Sequence, residues 1–351
     1  MPRTPAWGAH ASVNGMHEPE RADHAAPPRT VGELGEDAAL GLILPRLRPA
    51  DAALLGPGDD AAVMAAADGR FVVTTDLMVH GPDFRLAWST PFELGWKAAA
   101  TNLTDVAAMG ARPTALVVAI AAPPSLDASV LEGIADGLRE CLAALAPGAG
   151  VVGGDLTASS VLTIAVTAFG DLEGRPPVTR SGARPGDVVA HAGARGDAAR
   201  GLALLFDEAT DASGEPDSAA ADALRDRHPD LIAAQLAPSP PVGAGVAAAA
   251  GGATSMLDVS DGLARDARRI AQASGVGIDF SGAALGPDVR LALAGGEDHG
   301  LLATFPPGTA LPEPFEPIGL VTDAAGRLFV DGAAIDSAGW DPYSGWDGRA
   351  G

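Results

Sequence analysis

The sequence predicts a mixed α/β (α+β) fold in two domains, and three observations carry that prediction. Strand-like and helix-like segments follow one another in both halves of the chain. A Pro- and Gly-rich stretch, GRPPVTRSGARPGD at 174–187, interrupts the pattern near its middle. The 351 residues are 47% hydrophobic, enough for two cores and too apolar for a disordered chain. The expected division is a disordered tail over 1–29, an N-terminal domain over 30–176 and a C-terminal α/β domain over 177–351.

The tail is rich in Pro, Ala, His and charge, without periodicity. VGELGEDAALGLILPRL (31–47) has a helical pattern closed by Pro49. After the turn LGPGDDAAV (55–63), AAVMAAADGRFVVTTD predicts a hairpin: a strand, an Asp-Gly turn, then the β-branched run FVVTT. A helix is expected from about Pro91 to Met109, stopped by Gly110 with Pro113 just beyond. TALVVAIAA predicts a strand, LDASVLEGIADGLRECLAAL a helix, GVVGGD a short strand ending in a turn, and SVLTIAVTAFGDL another strand. The second half opens with a strand, DVVAHAG, and a helix, GDAARGLALLF. The polar stretch Asp207–Asp222 is expected to be a mobile insertion. TSMLDVSDGLARDARRIAQASG predicts a strand running into a helix with Ser260 as its N-cap. A GGED turn, the strand GLLATF and short strands near Ile318 and Phe329 follow.

The formal net charge of −22 argues against nucleic acid or an anionic membrane as the main partner. Polyphosphates remain open to such a protein if metal ions stand between the two. Lys97 is the only lysine. The one cysteine, Cys141, rules out an internal disulfide or a Cys-rich metal site, and its apolar neighbours read as a buried small hydrophobe. With no signal-peptide-like or transmembrane-length apolar run, a soluble cytoplasmic protein is expected.

Five segments place an aspartate at a strand end or on a helix face: GDD (58–60), TTD (74–76), NLTD (102–105), GGD (153–155) and DVSD (258–261). Each alone has an ordinary structural reading. Asp59 and Asp60 suit a solvated turn as well as a cation site. Asn102 and Asp105 share a helix face that fits a ligand or solvent equally. Together they suggest a cluster. Two carboxylates about 4 Å apart repel by roughly 1 kcal/mol in water and roughly 4 kcal/mol in a partly buried site, so convergence requires cations. Magnesium usually takes one or two carboxylates plus phosphate oxygens and water, which points to several ions and a phosphate-rich ligand. No phosphate-binding P-loop, kinase motif set, Gly-x-Ser-x-Gly elbow or closely spaced histidine pair is present. His80 and His299 lie near the acidic motifs and read as surface or hydrogen-bonding residues rather than catalytic bases.

The segments LGPGDDAAV, TTDLMV, GWKAAATNLTDVAAMGARP, GVVGGDLT, VTRSGARPGD, APSPP, SMLDVSDGL and GGED, in this order, resemble the thiamine-monophosphate kinase family. That family belongs to the aminoimidazole-ribonucleotide-synthetase-like superfamily, and the resemblance runs from about Gly56 to Tyr343. It implies a two-domain fold whose N-terminal domain binds ATP and metal and pairs in a homodimer. It implies transfer of the ATP γ-phosphoryl group to thiamine monophosphate, with several Mg²⁺ ions and no general base. By motif, Asp60, Thr74, Thr75, Asp76, Asp105, Asp155, Asp258 and Asp261 match the magnesium shell. Gly154, Asp155, Arg180 and Ser260 match ATP contacts, and Glu297 and Tyr343 match substrate contacts. One substrate position departs: HGPDF carries Asp83 where the family usually has histidine, and an aspartate repels a phosphate unless metal-bound or protonated. His80, three residues away, is the compensating candidate. Two other readings stand beside the kinase. One is a non-catalytic nucleotide- and metal-binding relative. The other is a superfamily kinase or synthetase with a different acceptor; Cys141 is badly placed for a selenophosphate-synthetase-like cysteine, and no C-terminal cysteine is present for a hydrogenase-maturation relative.

Overall fold

In the computed structural model, which describes residues 30–34, 36–55, 62–336 and 339, the strands before the 174–187 linker build a four-stranded sheet and a two-stranded ribbon, and those after it a separate seven-stranded sheet. The first half contains α1 (Val31–Leu34), α2 (Glu36–Ile43), β1 (Ala53–Leu55), β2 (Val63–Met64), β3 (Val72–Val79), α3 (Pro91–Ala108), β4 (Arg112–Ala122), α4 (Ala128–Leu145), β5 (Gly150–Ala158) and β6 (Thr163–Asp171). The second half begins with β7 (Val188–Ala192), α5 (Asp197–Glu208), α6 (Ser218–Arg227), α7 (Pro229–Leu236), α8 (Gly243–Ala250), β8 (Ser255–Val259) and α9 (Leu263–Ser274). It closes with β9 (Gly277–Phe280), α10 (Gly282–Leu285), α11 (Val289–Ala294), β10 (Gly300–Phe305), β11 (Glu316–Thr322), β12 (Leu328–Val330) and β13 (Ala333–Ile335).

The N-terminal sheet has the order β3-β6-β4-β5, with only the β4–β5 pair parallel. Alternation along its strands sends Met78, Leu116, Val118, Ile164 and Val166 into a core shared with α3 and α4. The other face is covered near Ala115 and Val152 by Ala50, Ala53 and Met64. Among the described residues it is open along β3 and just before it, where Phe71, Val73 and Leu77 keep 59%, 54% and 57% of their surface exposed. The C-terminal sheet has the order β13-β12-β9-β11-β7-β10-β8, with only the β12–β9 pair parallel. Val189, Leu257 and Leu302 face α9 and α11, whereas Ala190, Met256 and Ala303 face the core around α3.

Helix α3 therefore lies between the two sheets, buried along most of its length. Thr90 and Glu93 form a reciprocal capping box, and Pro91 sits where its missing N–H costs nothing. Two glycines let α3 and α4 approach closely. A Cβ on Gly95 would stand 2.0 Å from the Ile134 carbonyl oxygen, and one on Gly137 2.0 Å from that of Phe92.

Several expectations are corrected here. FVVTT does not pair with the strand before it: β3 pairs with β6, and β2 pairs with β1. The Asp68–Gly69 turn does occur, with Gly69 at φ +77° and Asp68 bonded to Arg70. GVVGGD does not end in a turn; β5 runs on to Ala158 with Gly153–Asp155 inside it, because β4 supplies a partner along the whole stretch. Ser260 is not the cap of α9. Gly262, at φ +115°, occupies that place, and Ser260 and Asp261 precede the helix. Asp207–Asp222 is a packed segment rather than a mobile insertion. Asp211 accepts from Ser213 and Glu215, Trp88 Nε1 donates to the Ala209 carbonyl, and Ala221 is buried in α6. The tail over 1–29 lies outside the described residues. Cys141 is fully buried, and burial pushes its thiol pKa up, as expected of a core residue.

Candidate functional site

The ends of β3, α3 and β8 meet where the two sheets face each other. Thr74 lies on the α3 side of β3, and its hydroxyl donates to Asp105 Oδ2 at 2.8 Å. Asp105 belongs to the last turn of α3, and Asp258 is the fourth residue of β8. These three and Arg180 line a cavity of about 190 Å³. Its remaining wall is apolar, including Val72, Ala108, Met109 and Met256. A cavity lined by both apolar side chains and a few charged ones suits a ligand with an apolar and a charged part.

The carboxylates here repel one another. Burial, then Asp258 and Asp76, push the Asp105 pKa up to about 7. Asp76, on the same face of β3 as Thr74, is also shifted upward, by the crowding protein first and then by Asp258. An all-oxygen donor set under mutual repulsion fits a hard divalent cation such as magnesium. Among the described residues, no three or more His, Cys, Asp or Glu side chains are grouped tightly enough to hold an ion unaided.

A second loop closes the site. Glu297 and His299 adopt left-handed backbone at φ +71° and +51°, with Asp298 between them. Glu297 Oε2 meets Lys97 Nζ at 2.6 Å, and Lys97, on α3, also donates to the Gln235 carbonyl at 3.0 Å. Burial alone would raise the Glu297 pKa, but Lys97 and His299 outweigh it and hold the carboxyl below its ordinary value. Asp298 has a different task. It accepts from the backbone N–H groups of Gly196 at 2.5 Å and Ala198 at 2.9 Å, capping α5 from a distance.

The DVSD segment is tied to this loop, because Glu297 N donates to the Ser260 carbonyl at 2.8 Å. Asp261 Oδ2 is held by Arg269 at 2.6 Å, and Asp261 N donates to buried Asp266. Asp83 accepts from Val79 N–H at 2.7 Å. Burial raises its pKa; the Val79 N–H and Lys97 offset this in part, and Glu297 adds to it. Asp83 thus lies within electrostatic reach of Glu297 and Lys97.

Thr74, Asp76, Asp105, Asp258 and Arg180 converge, and Glu297, Ser260 and Asp261 adjoin them. Thr75 faces the opposite side of β3, where its hydroxyl donates to the Val166 carbonyl at 3.0 Å. Gly154 and Asp155 lie on β5, the far edge of the sheet from β3, three strand spacings or on the order of 14 Å across. Gly154 also has a packing reason to lack a side chain, since a Cβ would stand 2.0 Å from the Val118 carbonyl oxygen. Asp60 and Tyr343 lie outside the described residues. His80 is half-buried beside Phe84, with ring centroids 5.5 Å apart. His299 departs from the surface expectation: it is 4% exposed and stands among the carboxylates.

Lys97, Asp266 and the placement of His299 escaped sequence reasoning. Lys97 carried one signal, as the lone lysine on an otherwise small and apolar helix face. His299 followed GGED directly but had no spacing pattern of its own.

Residues 58–172 match the family model "AIR synthase related protein, N-terminal domain". Over 332 residues the chain is 44% identical to the thiamine-monophosphate kinase of Mycobacterium tuberculosis, covering 90% of this chain and 92% of the relative. It is 41% identical to that of Corynebacterium glutamicum, covering 84% and 88%. The thiamine-monophosphate kinase structure from Stenotrophomonas maltophilia superimposes with TM-score 0.68 at 31% identity, over 85% of this chain and 96% of the other. AaThiL complexed with AMPPCP and TMP superimposes with TM-score 0.67 at 29% identity, over 90% and 99%. The Escherichia coli hydrogenase maturation protein HypE, at 18% identity and TM-score 0.61, shares the fold.

Proposed function

This chain belongs to the thiamine-monophosphate kinase family, an ATP-dependent phosphotransferase family, and from that premise we propose that it transfers the γ-phosphoryl group of ATP in line to the phosphate of thiamine monophosphate. The products are thiamine diphosphate and ADP. The observation that carries this reading is the convergence of Thr74, Asp105, Asp258 and Arg180 on one cavity.

The nucleotide's base and sugar occupy the apolar part of the cavity, with Arg180 directed to the phosphates and Ser260 as a further ATP contact. Gly154, on the far edge of the sheet, would contact ATP only from a second copy. Thr74, Asp76, Asp105, Asp258 and Asp261 would hold the magnesium ions, together with Asp60. Asp155, on that same far edge, would reach them only from a second copy, and Thr75 turns its side chain to the opposite face of β3. Bound magnesium ions would neutralise phosphate and carboxylate charge together, which is the main electrostatic requirement of phosphoryl transfer. Asp105 is held by Thr74 and Asp261 by Arg269, so their oxygens are oriented in advance. The acceptor phosphate oxygen is already ionised, so no side chain needs to remove a proton. Glu297, Asp83 and Tyr343 contact the acceptor. Asp83, beside Glu297, suits the cationic thiazolium end of that molecule better than its phosphate.

A homodimer belongs to the same reading, supported by the open apolar sheet face at Phe71, Val73 and Leu77. So does a division near residues 176–177, supported by the separate sheets on either side. A cytoplasmic setting, with ATP and magnesium at hand, completes it. No described helix is long and apolar enough to cross a membrane.

The test is ADP release from ATP with magnesium, comparing thiamine monophosphate, free thiamine and no acceptor, with products identified by mass spectrometry. Release confined to the monophosphate, with thiamine diphosphate formed, is expected. ADP release that ignores the acceptor, or nucleotide binding without turnover, would overturn the assignment.

A further inference from the structure

One buried polar side chain at the site has no task in the reading above. His299 is 4% exposed, and neither ring nitrogen has a hydrogen-bond partner among the described residues. Nδ1 stands 3.9 Å from Asp258 Oδ2, just beyond hydrogen-bond reach. A neutral imidazole carries one donor and one acceptor, and burying both unpaired costs free energy that folded proteins usually avoid.

The backbone shows that this placement is imposed. His299 is left-handed at φ +51°, a region uncommon for residues other than glycine. Two flanking contacts hold it there. Asp298 is fixed by the N-terminus of α5, and His299 N donates to the Val259 carbonyl at 3.0 Å, one residue beyond Asp258. The ring is thereby held beside the Asp258 carboxylate, within electrostatic reach of Glu297 and Lys97. Strain of this kind, maintained by surrounding contacts, is characteristic of functional positions.

We propose that His299 is a positioning residue for Asp258: its Nδ1–H bonds one carboxylate oxygen when a divalent cation engages the other, fixing the carboxylate plane. Carboxylates that bind metals are usually oriented by such outer partners, and losing one typically lowers metal affinity about 10–100-fold. Closing the gap requires a movement of under 1 Å from the 3.9 Å separation, on the order of an ordinary side-chain adjustment. The proposal rests on the reading of Asp258 as a metal ligand, and the experiment separates the two.

Mn²⁺ binding to the full chain, followed by electron paramagnetic resonance with saturating AMPPCP, is measured for four proteins. They are the wild type, His299→Asn, His299→Met and Asp258→Asn. Asn keeps an N–H donor near the Nδ1 position and tolerates left-handed backbone; Met fills the space without a donor. Expected are wild-type-like affinity for His299→Asn, within about threefold, and a loss of about tenfold or more for both His299→Met and Asp258→Asn. Unchanged affinity in His299→Met alongside a loss in Asp258→Asn overturns the role of His299 alone. Unchanged affinity in Asp258→Asn overturns the metal-ligand reading beneath it. If His299→Met does not fold, nitrogen-15 imidazole spectra of the wild type decide, with the His299 signal identified by its absence in His299→Asn. A metal-dependent shift of that signal supports the proposal, and an unmoved signal overturns it.

Discussion

Lys97 joins three parts of the molecule through one ammonium group: α3 on which it stands, the end of α7 through Gln235, and the site loop through Glu297. Replacing it with Met removes the charge while keeping the chain length, and leaves the Glu297 carboxylate unpaired. A fully buried broken pair costs about 3–5 kcal/mol. Glu297 keeps 37% of its side chain exposed, so a cost of about 2 kcal/mol is expected, read as a lower urea midpoint. On the proposed placement of Glu297 at the acceptor, the KM for the acceptor should rise more than the KM for ATP. Asp105 yields a pH prediction. Its pKa is about 7 in the folded protein against 3.8 ordinarily, so the folded state binds the proton more tightly than the unfolded chain. Its contribution to stability is complete below about pH 4 and is lost as pH rises through about 7. Metal-free protein should melt at a higher temperature at pH 5.5 than at pH 7.5. Asp105→Asn should flatten that difference, and magnesium with AMPPCP should shrink it. At this scale the aspartate motifs were legible in the sequence, but not their division of labour. Glu297 and Asp298 are adjacent acids, and only the left-handed backbone on either side of Asp298 sends one to the site and the other to the cap of α5.

Helix α3 is the element on which the site depends, because it carries Lys97 near its middle and Asp105 in its last turn. Its start and stop were readable from Pro91 and from Gly110 with Pro113 beyond it, since helix ends are marked by local chemistry. The partner of β3 was not. The Asp68–Gly69 turn suggests a hairpin, yet β3 pairs with β6 some ninety residues later, and local pattern carries no record of distant pairing. Short strands such as β9 and β13 escaped for the same reason. Close packing of α3 on α4 fixes where Asp105 falls, and Gly95 makes that packing possible. In Gly95→Ala the new methyl would collide with the Ile134 backbone, so the helices must separate. A loss of about 1–3 kcal/mol is expected from overpacking. Metal affinity should fall as well, because Asp105 moves with the helix. A stability loss with unchanged Mn²⁺ binding would mean that the position of Asp105 is set from the sheet side instead.

For the whole molecule, the proposed dimer makes a prediction that a single chain does not. Asp105 and Asp258 stand together, but Asp155 lies on the opposite edge of the N-terminal sheet from β3. If Asp155 is a metal ligand, a second copy is the straightforward means of bringing it to the site, and the open face at Phe71, Val73 and Leu77 offers a surface for that pairing. Asp105→Asn and Asp155→Asn should each be nearly inactive and remain folded, since both change a charge without changing size. Dissociated, mixed in equal amounts and reassociated, they should recover about a quarter of wild-type activity. Half of the dimers then pair one variant with the other, and each such dimer has one site with both aspartates intact. Leu77→Asp, which places a charge on the open face, should yield monomers and abolish the recovery. If the mixture stays inactive while size measurements confirm reassociation, Asp155 acts within its own chain or outside the site. If the wild type is itself a monomer, the shared site fails with the dimer.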